Sequence, residues 1–171
     1  MKLKKFSDPF LHSFFKAVLV YDAEEIKGLL KKRIGGKLMA EWELTGVYEE
    51  MLSSRTYKMK QKKIDVLWVL EHPTRELGER RVLHEVKTGM FDLVKTIKSY
   101  RSCYFGHDLY SHAVTTNHPL YIWNWKLKGN RLGGAVELVP LTWLLPFVER
   151  RLAAIFDLAF RQSDRGRHEK K

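Results

Sequence analysis

The most apolar run of the chain, residues 64–70 (IDVLWVL), is interrupted by one acid, Asp65. An isolated ionised carboxylate in such surroundings is costly unless it is paired or bound to a cation. A second run, residues 81–87 (RVLHEVK), carries Glu85 and Lys87 on either side of Val86. Strand side chains alternate, so Glu85 and Lys87 emerge on one face, and Asp65 joins them if its strand is a neighbour in suitable register. Two carboxylates and an ammonium converging on a sheet edge suit a hard divalent cation. Mg²⁺ takes oxygen ligands, commonly one or two carboxylates with waters and substrate phosphate. Such an ion polarises a phosphoryl oxygen and lowers the pKa of its bound water. Lys87 would hold or help deprotonate that water and stabilise the charge developing on phosphorus. These residue types predict a phosphodiester hydrolase site. The bland alternative is a salt-bridge cluster at a strand end.

The elements that must position these residues follow from periodicity. Ser7-Asp8-Pro9 is a helix start, and Leu11, Phe14, Phe15, Val18 and Leu19 recur at helical spacing. Residues 22–33 form a second helix, with Ile26, Leu29 and Leu30 inward, stopped at Gly35-Gly36. Over residues 38–45 the apolar letters Leu38, Ala40, Trp42 and Leu44 alternate with Glu41 and Glu43, which predicts a half-buried strand. Residues 64–70 and 81–87 are strands, and 91–105 is a helix. Residues 120–126 (LYIWNWK) are a strand, residues 135–139 are a candidate fifth, and 141–161 is a closing amphipathic helix. The result is an α/β layered domain with a mixed sheet over residues 1–162, followed by a basic, flexible tail at 163–171.

The two charged strands also resemble a known superfamily. Lys63-Ile64-Asp65-Val66-Leu67 followed by Glu85-Val86-Lys87-Thr88-Gly89 looks like the PD-(D/E)xK nucleases, which include archaeal Holliday-junction resolvases, RecB-like exonuclease domains and many restriction enzymes. The resemblance covers roughly residues 38–126. It implies a restriction-endonuclease-like α-β-β-β-α-β core, a central mixed sheet flanked by helices, here with an extra C-terminal helix. It implies Asp65 and Glu85 as metal ligands, Lys87 as the catalytic lysine, and the main-chain carbonyl of Val86 as a further ligand for Mg²⁺ or Mn²⁺. RecB-like relatives often add an upstream glutamate, for which Glu43 is favoured over Glu41, and some carry a metal-binding histidine on the first helix, where His12 stands. Tyr100 would supply the tyrosine of their glutamine-tyrosine signature, although Thr96 or Ile97 stands where glutamine is expected. As readings without a family, Glu41 and Glu43 are a solvated strand face, and His12 is a packed or surface histidine.

Composition narrows the field further. The 31 Lys+Arg against 20 Asp+Glu give a net charge of +11, which suits a polyanionic partner, nucleic acid first and an acidic membrane surface second, and with the nuclease resemblance DNA is expected before RNA. Lys63, Lys95, Lys98 and Arg101, with the run Lys58, Lys60 and Lys62, are the candidate phosphate contacts, against the alternative of a solvated face. The lone Cys103 excludes an internal disulfide and Cys-rich zinc modules. His107, His112 and His118 match no zinc spacing, and His84 points away from Glu85 as a structural residue. Gly35-Gly36 and Gly133-Gly134 fit neither a P-loop nor a dinucleotide fingerprint. No stretch has the length and apolarity of a membrane span, so a soluble, cytoplasmic protein is expected. Scarce Asn and Gln beside abundant Lys, Arg and Glu is a thermophile-like bias. The function expected is a metal-dependent nuclease, with a homodimer open. The alternative is a non-catalytic nucleic-acid-binding module or subunit of a DNA-processing complex.

Overall fold

A computed structural model of the protein describes residues 8–35, 37–52, 63–74, 78–103, 119–132 and 136–168. Helix α1 (Asp8–Tyr21) buries Leu11, Phe15, Val18 and Leu19, the spacing of an amphipathic stripe. Helix α2 (Ala23–Arg33) buries Ile26 and Leu30. It ends where Gly35 takes a φ of 75° and its amide reaches back to the carbonyls of Leu30 and Lys31.

The strand expected over residues 38–45 does not form there. Lys37–Glu41 make a short helix, α3, and the first strand, β1, runs Glu43–Leu52. Met39 and Trp42 are buried while Ala40 is exposed, so burial steps by three rather than by two. A few alternating apolar letters fit both periods, and here the turn of helix wins. The remaining elements lie close to their expected places: β2 (Lys63–Glu71), β3 (Glu79–Lys87), α4 (Leu93–Cys103), β4 (Leu120–Asn124) and β6 (Val136–Pro140). A short strand, β5 (Asn130–Leu132), pairs with β6 and was not expected. Helix α4 starts behind Asp92, whose Oδ1 accepts the Lys95 N–H at 2.9 Å.

The six strands lie in the order β1-β2-β3-β4-β6-β5. The strands β1 to β3 are antiparallel, β3, β4 and β6 are parallel, and β5 returns antiparallel along the edge. The molecule is therefore an α/β protein with a mixed sheet flanked by helices. One face, carrying Val66, Trp68, Val82, Val86, Trp123 and Val139, packs with residues of α1 and α2. The other face, carrying Leu67, Leu83, Ile122 and Leu138, packs against Tyr100 of α4. Trp68 fastens α1 to β2 by donating its indole N–H to the Leu19 carbonyl at 3.0 Å.

A 3₁₀ turn (Leu141–Leu144) leads into α5 (Leu145–His168), which continues through most of the tail expected to fray. Arg161, Gln162 and Arg165 are good helix formers, and no Pro or Gly lies between Pro146 and Gly166. Arg150 and Arg151 of α5 grip Asp22 at the α1–α2 break, at 2.8 and 2.5 Å. Beyond them Ile155, Phe156 and Leu158 are more than half exposed, so only the first half of α5 closes the core. Among the described residues no helix is long and apolar enough to cross a membrane. The run Lys58, Lys60 and Lys62 and the histidines His107, His112 and His118 lie outside the described residues.

His84 is fully buried in the core on the α1 side, between Trp68 and Tyr121. Its Nδ1 accepts the Trp123 indole N–H at 3.1 Å, and among the described residues Nε2 has no partner. Desolvation pushes its pKa down to about 3. The unfolded chain takes up this proton near pH 6.5 and the native state resists it, so stability is full above that pH and declines as pH falls towards 3. We predict a loss approaching about 1.4 kcal/mol per pH unit below pH 6 in urea titrations, largely abolished in His84→Gln.

Candidate active site

The pairing of β2 with β3 runs from Glu71↔Glu79 to Val66↔His84 and then stops. From there the two strands part, and the last residues of β3 keep a partner only in β4, ending at Lys87↔Asn124. The Val86 N–H, which the ladder would otherwise have used, donates to Asp65 Oδ2 at 2.8 Å. Strict alternation also breaks here: Ile64 joins Leu67 in one core cluster while Val66 sits in the other. An acid in an apolar strand is thus explained locally. Its carboxylate replaces a missing backbone partner.

His12, projecting from α1, brings Nε2 to 3.3 Å from the same oxygen of Asp65. Both bonds fall on Oδ2, and among the described residues none falls on Oδ1, although the side chain is only 13% exposed. Burial, the largest single influence, works to raise the pKa of Asp65. The bonds from His12 and Val86, with the positive charges of His12 and Lys87, outweigh it and hold the carboxyl below the ordinary aspartate value.

Glu85 lies on the opposite face of β3 from His84 and is almost wholly buried. Lys87 Nζ stands 2.5 Å from its Oε1, and the Tyr100 hydroxyl donates to its Oε2. Tyr100 itself is fully buried on α4. The buried carboxylate is therefore held from below by a helix and from its own strand by a half-exposed ammonium.

Of the residues expected at the site, Asp65 meets the Val86 amide and Glu85 meets Lys87, both where β2 and β3 part. Glu43 joins neither pair. It pairs with Glu71 at the far end of β2, about 20 Å along the strand from Asp65. Glu41 is exposed at the end of α3. The displacement of β1 is the cause: starting at Glu43, it carries Glu49 and Glu50, not Glu43, to the Asp65 end. Glu49 stands opposite Val66 and is bound by the buried Lys16 at 3.5 Å. Lys63, Lys95 and Lys98 are exposed, and the side chain of Arg101 lies outside those described. A groove lined by Thr45, Tyr48, Val69, Glu71 and Arg81 lies towards the opposite strand ends.

Reading the sequence as a packed or surface histidine misses the reach of His12 to Asp65. The signal was His12 and Lys16, two basic residues one turn apart on a largely apolar helix. Asn124, which holds the backbone of Lys87 and Gly89, was also missed. Its signal was a lone amide closing a strand of apolar residues.

Among the described residues, no group of three His, Cys, Asp or Glu is assembled to hold a metal ion. The donors present are nevertheless those of a hard-cation site: the unbonded Oδ1 of Asp65, the Glu85 carboxylate and a strand-end carbonyl at Val86. Compared with known proteins, the chain matches no family model, no curated protein and no solved structure.

The ion pair predicts a stability effect that needs no ligand. Lys87→Met strands a buried carboxylate and should cost about 2–3 kcal/mol in urea unfolding, less than a fully buried pair because the Lys87 side chain is 31% exposed. Adding Glu85→Gln should recover most of that loss.

Proposed function

We propose that the chain is a metal-dependent nuclease of PD-(D/E)xK type that hydrolyses phosphodiester bonds, with DNA as the first substrate to test. The observation that supports this reading is that, where β2 and β3 part, Asp65 accepts the Val86 amide while Glu85 and Lys87, on either side of Val86, pair with each other on strands that are otherwise core. The element order α-β-β-β-α-β, the parallel β3–β4 pair and α4 between them support a restriction-endonuclease-like core. The site lies at the carboxyl ends of β3 and β4, where open α/β sheets commonly take their ligands.

Asp65, Glu85 and the Val86 carbonyl are the groups that would hold Mg²⁺ or Mn²⁺, with His12 beside them. When bound, such an ion supplies a polarised phosphoryl oxygen and a more acidic water. The chain's own residues supply the rest. Lys87 orients the attacking water and offsets charge developing on phosphorus. Tyr100 keeps Glu85 from turning away, and His12 does the same for Asp65. The net charge of +11 favours a polyanionic substrate, and Lys63, Lys95 and Lys98, all exposed, are the candidate contacts for its backbone.

A second reading is favoured by one observation. Both oxygens of Glu85 already have protein partners, as expected of a structural charge cluster in a nucleic-acid-binding module without catalysis. Labelled single-stranded, duplex and four-way-junction DNA, and a matched RNA, incubated with Mg²⁺, Mn²⁺ or EDTA, separate the two. The nuclease reading predicts metal-dependent cutting that falls at least about 100-fold in Asp65→Ala, Glu85→Ala and Lys87→Ala, with binding largely kept. Salt-sensitive binding without cutting in any metal favours the module.

A further inference from the structure

Asn124 is the last residue of β4 and the parallel register partner of Lys87. It is 2% exposed and follows four buried apolar residues, Leu120 to Trp123. Asn is a poor strand residue, and burying its amide is costly unless its hydrogen bonds are made. Here they are. Nδ2 donates to the carbonyls of Lys87 and Gly89, at 2.5 and 3.1 Å, and Oδ1 accepts the Lys126 N–H at 2.9 Å. The Lys126 amide fixes which end of the side chain is oxygen, so the two donors must face the two carbonyls.

This one side chain ties down the backbone on which Lys87 stands and the turn that leaves β3 for α4. That matters because a lysine side chain is flexible and gains no geometric precision from its own stem. Its ammonium nevertheless stands 2.5 Å from a buried carboxylate on a side chain that is 31% exposed. What remains to hold it is the strand end beneath it, where pairing with β2 has already stopped at Val66↔His84.

We propose that Asn124 is a positioning residue for Lys87: its amide clamps the Lys87 and Gly89 carbonyls and so aims the ammonium at Glu85. The role assigned to Lys87 in turnover rests on the nuclease reading; the clamp itself does not. Misplacing a catalytic group by about 1 Å costs on the order of 100-fold in rate.

The test uses two variants of the full chain. Asn124→Asp is isosteric and turns an acceptor towards the two carbonyls, whereas Asn124→Ser keeps one short donor. Cleavage is followed at saturating and subsaturating DNA, and the Lys87 ammonium by ¹⁵N-lysine NMR, assigned with Lys87→Arg. The expected result for Asn124→Asp is a kcat about 30- to 100-fold lower with KM within about twofold, Asn124→Ser falling between it and wild type. The Lys87 resonance should move to that of an unpaired lysine, as it does in Glu85→Gln. A folded variant with kcat within about twofold of wild type, a loss confined to KM, or an unmoved Lys87 resonance would overturn the proposal. So would failure of both variants to fold, which would make Asn124 a residue of the fold rather than of the site. If wild type cuts no nucleic acid, the nuclease reading fails, and the Lys87 resonance still decides the clamp.

Discussion

The site depends on one broken ladder. Where β2 leaves β3 after Val66↔His84, the sheet loses backbone pairing, and Asp65 supplies the replacement by accepting the Val86 amide. A backbone N–H left without a partner in a buried strand is a substantial penalty, so the carboxylate is held there by the fold as well as by any ligand. The same parting leaves a gap in the β2–β3 ladder, and Glu85 and Lys87 continue along β3 past it, paired with each other.

The charges around this gap are arranged in two tiers. His12 and the Val86 amide steady Asp65, while Lys87 and Tyr100 steady Glu85. Each carboxylate is braced by one group from a helix and one from β3. The helices are themselves held by apolar packing, α1 also by the Trp68 bond to the Leu19 carbonyl, while the Asp92 cap sets where α4 begins. The two helical partners come from opposite layers, α1 on one face and α4 on the other, so the site reports on the packing of both cores.

How much of this the sequence carried can be argued residue by residue. Strands β2 and β3 were readable because continuous β-branched and aromatic runs leave little choice of structure, and an acid inside such a run stands out. The three charged residues were found by that contrast. Residues 38–45 misled because Leu38, Ala40, Trp42 and Leu44 satisfy a two-residue period on paper, while burial follows Met39 and Trp42. That shift moved β1 along the chain and sent Glu43 to the wrong end of the sheet. The His12 and Asn124 contacts span 53 and 37 residues, and such pairings are set by tertiary packing that local spacing does not encode. The short edge strand β5 escaped for a similar reason: three residues carry too little pattern to be read alone.

In the proposed nuclease, Asp65 and Glu85 as they stand receive a divalent cation. Titration of the protein with Mn²⁺, followed by electron paramagnetic resonance of the unbound ion, tests it without any substrate. Saturable binding in the wild-type chain, weakened at least about tenfold in Asp65→Asn and in Glu85→Gln while both remain folded, is the predicted result. No saturable binding, or binding in the two variants as tight as in wild type, would contradict it and leave the cluster as a structural device of the parted strands.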